Sequence, residues 1–362
     1  MKIRMNSYSL CSKFDFRNKE NTNMDQLLDL TAKNNKTAWQ VIEAFAESQI
    51  KSWPLAKNNY KGLQSVEEKV FQYNGFQIKA QFNPERIKSS AAKVDKQSIA
   101  ERKCFLCNEN RPAEQQAIAF GDQFLILINP YPIFKTHLTI SSNNHTDQRF
   151  LPHIQSMLHL SKAMEGFTIF YNGPKSGASA PDHLHFQAGE TGFMLVDTEC
   201  DDIKKSLGEK LLSGQRTEIW YFNDYLRKLI SVETSSLEEG LAVLEAYYTS
   251  FERVQPSNIE PMMNVLCSWS KEHWTIHLFP RKAHRPKQYF AEGDGQLLIS
   301  PGAVDLGGVF IIPRREDFDK ISKNDIADIL NQVTLDEEPF EELLEGMMDK
   351  INYKHIGHIE NI

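Results

Sequence analysis

The stretch "PDHLHFQAG", Pro181–Gly189, sets two histidines and a glutamine at every second position. Successive side chains of a β-strand point to opposite faces, so a strand here puts His183, His185 and Gln187 on one face. Leu184, Phe186 and Ala188 share the other, which reads as core. A strand anchored in this way holds its polar face rigidly, as a precise site requires. A single histidine would read as the outer side of a half-buried strand. Two histidines and a glutamine, next to a loop rich in glycine and serine, read as a site.

That loop is "YNGPKSGASAPDHLH". Gly173, Gly177 and the small residues Ala178, Ser179 and Ala180 allow a close approach of backbone to ligand. Their amides and hydroxyls suit phosphate oxygens, and Lys175 adds charge. A flexible connection reads equally well from the loop alone. Its position, feeding directly into the histidine strand, adds weight.

The rest of the chain sets bounds. Its 362 residues suffice for two modest domains or one large one. A net charge of −7 argues against non-specific nucleic-acid binding and leaves anionic small substrates open. No run of eighteen apolar residues suggests a membrane span, and the start "MKIRMNSYSLCSKF" lacks the apolar core of a signal peptide. Five cysteines, an odd number, do not read as a disulfide framework, so a cytoplasmic location is expected. Cys104 and Cys107 form a lone CxxC, compatible with zinc, a redox pair or two buried thiols.

Residues 24–53 read as a helix, with Trp39, Ile42, Phe45 and Ala46 at helical spacing. Asn74-Gly75 marks a hairpin. Residues 83–103 read as a polar loop. "FLILIN" (124–129), "HLTIS" (137–141) and "FTIFYN" (167–172) read as strands, with a helix over 150–165. Residues 200–235 read as a charged link. Ser235 with Glu238 suggests a capping box before Leu241–Phe251. "HWTIHLFPR" (273–281) and "GGVFIIPR" (307–314) read as strands. Two helices close the chain, the last from about Glu338 to Tyr353. Short connections between adjacent strands favour an antiparallel α+β fold over a doubly wound sheet. The two halves suggest a diverged duplication. The expected divisions are a helical segment over 1–65, a catalytic domain over 66–205 and a related domain over 206–362.

The His-x-His-x-Gln strand with its Asn-Gly loop resembles the transferase branch of the histidine-triad superfamily. That branch includes galactose-1-phosphate uridylyltransferase, diadenosine tetraphosphate phosphorylase and the GDP-hexose phosphorylases, and the last are the nearest likeness. "CFLCNENRPAEQ", "NPYPIFKTHLTIS" and "SPGAVDLGGVFIIPRREDF" support it, so the resemblance spans roughly residues 70–320. It implies a histidine-triad-like α+β fold in two related halves. It also implies that His185 attacks the α-phosphorus of a nucleotide and forms a nucleotidyl-histidine. A neutral imidazole is independently a competent nucleophile near pH 7. Gln187 would hold a phosphate oxygen. Related hydrolases carry a third histidine there, so glutamine favours transfer to phosphate or sugar phosphate over hydrolysis.

The same resemblance implies a structural zinc on Cys104, Cys107, His145 and His183, and makes His137 a structural histidine. Asn172, Lys175, Gly177, Ser179 and Arg86 are the candidate substrate-binding residues. Arg281, Lys282, Arg285 and Lys287 form a basic cluster that suits a second phosphate or the sugar, and equally a solvated loop. Asp305 and Arg314 lie in the C-terminal match without a role. The expected partners are a nucleotide sugar and phosphate or a sugar phosphate, with a homodimer open and no nucleic acid or membrane. The alternatives are a hexose-1-phosphate uridylyltransferase, a dinucleoside polyphosphate phosphorylase, and a non-catalytic nucleotide-binding protein.

Overall fold

A computed structural model of the chain describes residues 14–17, 36–86 and 96–353. The first part of the expected 24–53 helix and residues 87–95 of the expected loop lie outside them. Helices α1 (Ala38–Ser52) and α2 (Pro54–Gly62) open the main described portion. Thr37 and Gln40 cap α1 reciprocally, and Val41, Ile42, Phe45 and Ala46 form its buried stripe. At residues 83–103, the polar loop is interrupted by a short helix, Lys96–Glu101.

Fourteen described strands make two sheets. In chain order they are β1 (Phe14–Arg17), β2 (Glu67–Gln72), β3 (Gln77–Phe82), β4 (Ala117–Phe120), β5 (Phe124–Ile128), β6 (Leu138–Ser142) and β7 (Phe167–Asn172). They continue as β8 (His185–Glu190), β9 (Glu209–Ser213), β10 (Thr217–Phe222), β11 (Leu229–Thr234), β12 (Met263–Ser270), β13 (His273–Pro280) and β14 (Val309–Ile312). Eleven form one antiparallel sheet in the order β1-β4-β5-β6-β8-β7-β12-β13-β11-β10-β9. The hairpin β2–β3 turns at Asn74-Gly75, where Gly75 takes φ +84°. It pairs with β14 in a separate three-stranded sheet.

The large sheet repeats itself. Chain order in the first half is β4, β5, β6, helix α3 (Ile154–Ala163), β7, β8. In the second half it is β9, β10, β11, helix α5 (Leu237–Val254), β12, β13, with helix α4 (Leu195–Leu207) between the halves. Reading outward from the junction, both halves have the same spatial order, and β7 pairs with β12 at their centre. The fold is therefore α+β, antiparallel and built of two related halves, as expected. Directly paired residues share a face, so Gln187, Phe170, Leu266 and His277 form one cross-strand row. Asn172, Asn264 and Phe279 form the next row, on the same face as His185. The second half thus places His277 and Phe279 on the same face of the sheet as His185 and Gln187.

The expected link at 200–235 is instead the end of α4 followed by β9, β10 and β11. Its charges belong to the exposed edge of the sheet, where Lys210 pairs with Glu218 across strands at 3.2 Å. The cap of α5 is Ser236, whose side chain accepts from Glu239 N–H, one residue beyond the expected box.

Helices α3, α5 and α6 (Glu337–Tyr353) pack on one face of the sheet with Phe186, Tyr171 and Ile276. Helix α4, β3 and β14 cover the second half of the other face with Ile78, Met194 and Val309. Phe186 is fully buried and sits directly behind the histidine strand. Phe186→Ala should cost about 3–5 kcal/mol of stability, as core phenylalanine truncations do. A denaturant titration against wild type measures it.

Candidate active site

His185 is the first residue of β8 and is 3% exposed. Its backbone is gripped by the side chain of Gln148, itself fully buried. The Gln148 Oε1 accepts from His185 N–H at 2.8 Å, while Nε2 donates to the carbonyls of His185 and Asn172 at 3.0 Å each. The imidazole Nδ1 lies 2.8 Å from the His183 carbonyl. A carbonyl only accepts, so Nδ1 carries the proton and Nε2 keeps its lone pair. Burial lowers the His185 pKa to about 4, against the opposing bond to the His183 carbonyl, so the ring is neutral near pH 7.

Gln187 is set by a second histidine. Ile133 N–H donates to His137 Nδ1 at 3.2 Å, which leaves the proton on Nε2. That Nε2–H donates to Gln187 Oε1 at 3.0 Å. With its oxygen occupied, Gln187 presents its amide N–H groups as donors. Burial holds His137 neutral, with a pKa near 3. His137 thus has the structural part expected of it, and that part is to orient Gln187.

Both side chains line a cavity of about 520 Å³, within the size range of small-molecule sites. Trp53, Leu55, Phe105, Leu106 and Leu127 are among its apolar lining. Of the candidate substrate-binding residues, Arg86, Asn172, Gly177 and Ser179 also line it. Lys175 does not line it and is exposed. Gly177 takes φ +103°, and a Cβ there would sit 3.3 Å from Gly302 Cα, so the loop of the first half closes tightly on the second. Asn172 Oδ1 accepts from Asn264 Nδ2 at 2.7 Å and from Ala303 N–H at 2.8 Å. Asn172 therefore binds the two halves together at the cavity wall.

Gln148, Asn264 and Asn129 were not among the sequence candidates. The first two act through contacts distant in sequence, which no local pattern reveals. Asn129 lines the cavity at the end of β5, where a polar residue closing an apolar strand before "PYP" was the available signal. Asp305 lines the wall too, its oxygens accepting from Gly302 and Ile311 N–H at 2.8 and 3.0 Å. Arg314 sits away from the cavity wall and pairs with Asp317 at 2.7 Å.

The basic cluster divides. Arg281 is fully buried and donates to Asn264 Oδ1 and to the carbonyls of Pro301, Ala283 and His284 at 2.7–2.9 Å. It is a staple of the fold, not a substrate contact. Lys282 pairs with Asp336 and Lys287 with Asp328. Arg285 lines the cavity.

Cys104, Cys107, His145 and His183 bring their donor atoms within 4.8 Å of one another. His183 precedes β8, so the row of three begins one step outside the strand. Its Nε2 lies 3.0 Å from the Ser142 carbonyl, which places the proton there and frees Nδ1 for a metal. Nδ1 is 3.3 Å from Cys104 Sγ, 3.6 Å from Cys107 Sγ and 3.2 Å from His145 Nδ1. A tetrahedral zinc with such ligands sets donors about 3.3–3.8 Å apart. The residues fit the ion, and four protein ligands would close its shell, as in a structural site.

Residues 45–190 match the family model described as "Domain of unknown function (DUF4922)", and residues 204–354 match "GDPGP1-like, C-terminal domain". Among curated proteins no sequence matches. Among solved structures, yeast Ap4A phosphorylase Apa2 in complex with Ap4A is similar, at 15% identity and a TM-score of 0.52. The match covers 83% of this chain and 98% of that one. A structure described as uridylyltransferase aligns at 12% identity over 64% of this chain and 86% of that one, with a TM-score of 0.34. The two family matches lie one after the other along the chain, and the likeness to the yeast enzyme is a likeness of fold.

Purified protein should contain about one zinc per chain by elemental analysis. Cys104→Ser should lose the metal and melt at lower temperature. A native protein of full stability without metal would show that the cluster is four unliganded side chains.

Proposed function

We propose that the chain is a nucleotidyltransferase that works through a nucleotidyl-His185 intermediate. Its substrate is a nucleoside-diphosphate hexose, GDP-hexose first, and its acceptor is inorganic phosphate. The observation that carries this reading is the His185 ring: neutral, buried, protonated at Nδ1 and lining the cavity beside the donors of Gln187. The "GDPGP1-like" match over residues 204–354 favours the GDP-hexose.

In the first step the Nε2 lone pair attacks the α-phosphorus. The N–P bond forms and the bond from that phosphorus to the bridging oxygen breaks. Hexose 1-phosphate leaves with the electron pair. In the second step a phosphate oxygen attacks the same phosphorus, the N–P bond breaks, and nucleoside diphosphate departs. Gln187 N–H groups stabilise the charge that develops on the non-bridging oxygens. Dividing one displacement into two is the gain of covalent catalysis. Asn172, Ser179, Gly177 and Arg86 line the path of the substrate. Zinc, where bound, supplies structure at His183 and takes no chemical part.

A second reading is a dinucleoside polyphosphate phosphorylase, favoured by the likeness to the yeast Ap4A enzyme across nearly its whole length. A hexose 1-phosphate acceptor would make the reaction a uridylyltransferase-type exchange. A nucleotide-binding protein without turnover is the outcome if no covalent adduct forms.

Intact-protein mass spectrometry after mixing with GDP-glucose, without phosphate, tests the intermediate. Wild type should gain the mass of one nucleoside monophosphate in an acid-labile linkage. His185→Asn should fold, gain nothing and lose several orders of magnitude in turnover. An adduct on the variant would remove His185 as nucleophile. Running Ap4A in parallel separates the two substrate readings.

The pH dependence follows from the lowered pKa of His185. The reactive neutral ring is present above about pH 4 and is lost as pH falls through that value, whereas an exposed imidazole would protonate below about 6.5. Single-turnover adduct formation at saturating donor should therefore stay flat between roughly pH 5.5 and 8. A tenfold fall across that interval would contradict a buried neutral nucleophile.

A further inference from the structure

Phosphate is the common element of both half-reactions proposed above. The group that leaves in the first step carries a phosphate beyond the one attacked, and the acceptor of the second step is itself a phosphate. Both approach the same phosphorus from the side opposite His185. One anion subsite therefore serves both steps, and it needs a cation that is free of carboxylates.

The cavity wall offers few. Among the described residues that line it, two carry guanidinium groups, Arg86 and Arg285. Arg86 is half-buried and gives its Nη1 to the Tyr131 carbonyl at 2.5 Å. His284 lines the wall but is held neutral by burial and by Arg281 and Arg285. The only carboxylate on that wall among the described residues is Asp305, and both its oxygens already accept backbone N–H groups.

Arg285 is different. Its three basic neighbours are spent: Arg281 on carbonyls, Lys282 on Asp336 and Lys287 on Asp328. Arg285 Nε donates to Ser300 Oγ at 3.0 Å, and its guanidinium lies over the Tyr289 ring, 4.1 Å from the centroid. These two contacts fix the plane of the group and leave the Nη edge without a carboxylate among the described residues. A planar donor fork held in place is the arrangement that binds a phosphate in two-point fashion. Ser300 and Arg285 both belong to the second half, opposite the half that supplies His185.

We infer that Arg285, aligned by Ser300 and Tyr289, binds the second phosphate: the leaving phosphate of the donor and then the incoming inorganic phosphate. This rests on the covalent mechanism proposed above and adds the residue that makes the site specific for a phosphate on both sides of the attacked bond.

The test compares two donors with the full chain. GDP-glucose needs the subsite to load His185, whereas guanosine 5′-phosphorimidazolide has no second phosphate. Arg285→Ala should load from the phosphorimidazolide at the wild-type rate. Its loading from GDP-glucose should fall, and the phosphate concentration for half-maximal discharge of the adduct should rise, each by about 10- to 100-fold. Arg285→Gln, which keeps the reach to Ser300 without the charge, should behave as Arg285→Ala does; Arg285→Lys should recover part of the loss. Equal effects on both donors, or none on either, would overturn the inference while leaving the intermediate standing. A wild type that takes no adduct from either donor overturns the covalent reading, and the inference with it.

Discussion

The pairing of β7 with β12 is the constraint on which the rest depends. It joins six strands of the first half to five of the second in one sheet, and it sets Asn172 directly opposite Asn264. Each buried amide then has its partner, as buried polar groups require. Asn264 passes the connection on to Arg281, and Arg281 to the Pro301 carbonyl. The wall that carries Ser300, Gly302 and Asp305 is thereby fixed against the loop that carries Gly177 and Ser179. A cavity built across two halves has its width set by these hydrogen bonds, more than by either half alone. Removing one partner would leave the others buried and unpaired, at a cost of about 1–3 kcal/mol for each group.

The second half has its own histidine on the site face of the sheet, His277. His277 is followed two residues on by Phe279, and Arg227 precedes β11. The second set cannot do the same chemistry. Phe279 has no amide to offer, and Arg227 is buried, turned onto the Tyr225 ring and bonded to the Leu306 carbonyl. The space in front of His277 is filled by core around Leu266, Phe279, Met194 and Ile203. Burial lowers the His277 pKa to about 3, so its ring costs no buried charge. The second half has exchanged a cavity for packing, and it contributes to the remaining site through Arg281, Arg285 and Ser300.

What was legible in the sequence follows the range of the interactions. The period-two row around His185 is local, and alternation with Leu184, Phe186 and Ala188 was enough to place it. The hairpin at Asn74-Gly75 is local as well. The strands β9 to β11 were missed because their charges read as a link, while a strand at the edge of a sheet tolerates charge on its solvated side. Nothing in "RKAHRPK" told Arg281 from Arg285: one is consumed by Asn264 Oδ1 and by the carbonyls of Pro301, Ala283 and His284, the other lines the cavity. Gln148 was invisible for the same reason, since its worth lies in holding the backbone of residue 185 from the turn before α3.

His183 shows how the metal cluster and the nucleophile are joined without sharing charge. Its Nδ1 faces the cysteines, its Nε2–H is spent on the Ser142 carbonyl, and its own carbonyl receives the His185 proton. A zinc dication with two thiolates and two neutral imidazoles carries no net charge. It would therefore act on His185 through position, by fixing where the residue 183 carbonyl stands, and not by polarising the ring. That matters because the reaction needs a neutral imidazole that becomes cationic only as the N–P bond forms. A net positive cluster at this distance would oppose that change, and a net negative one would invite protonation of the free ring. The ligand set on the chain is the one that avoids both.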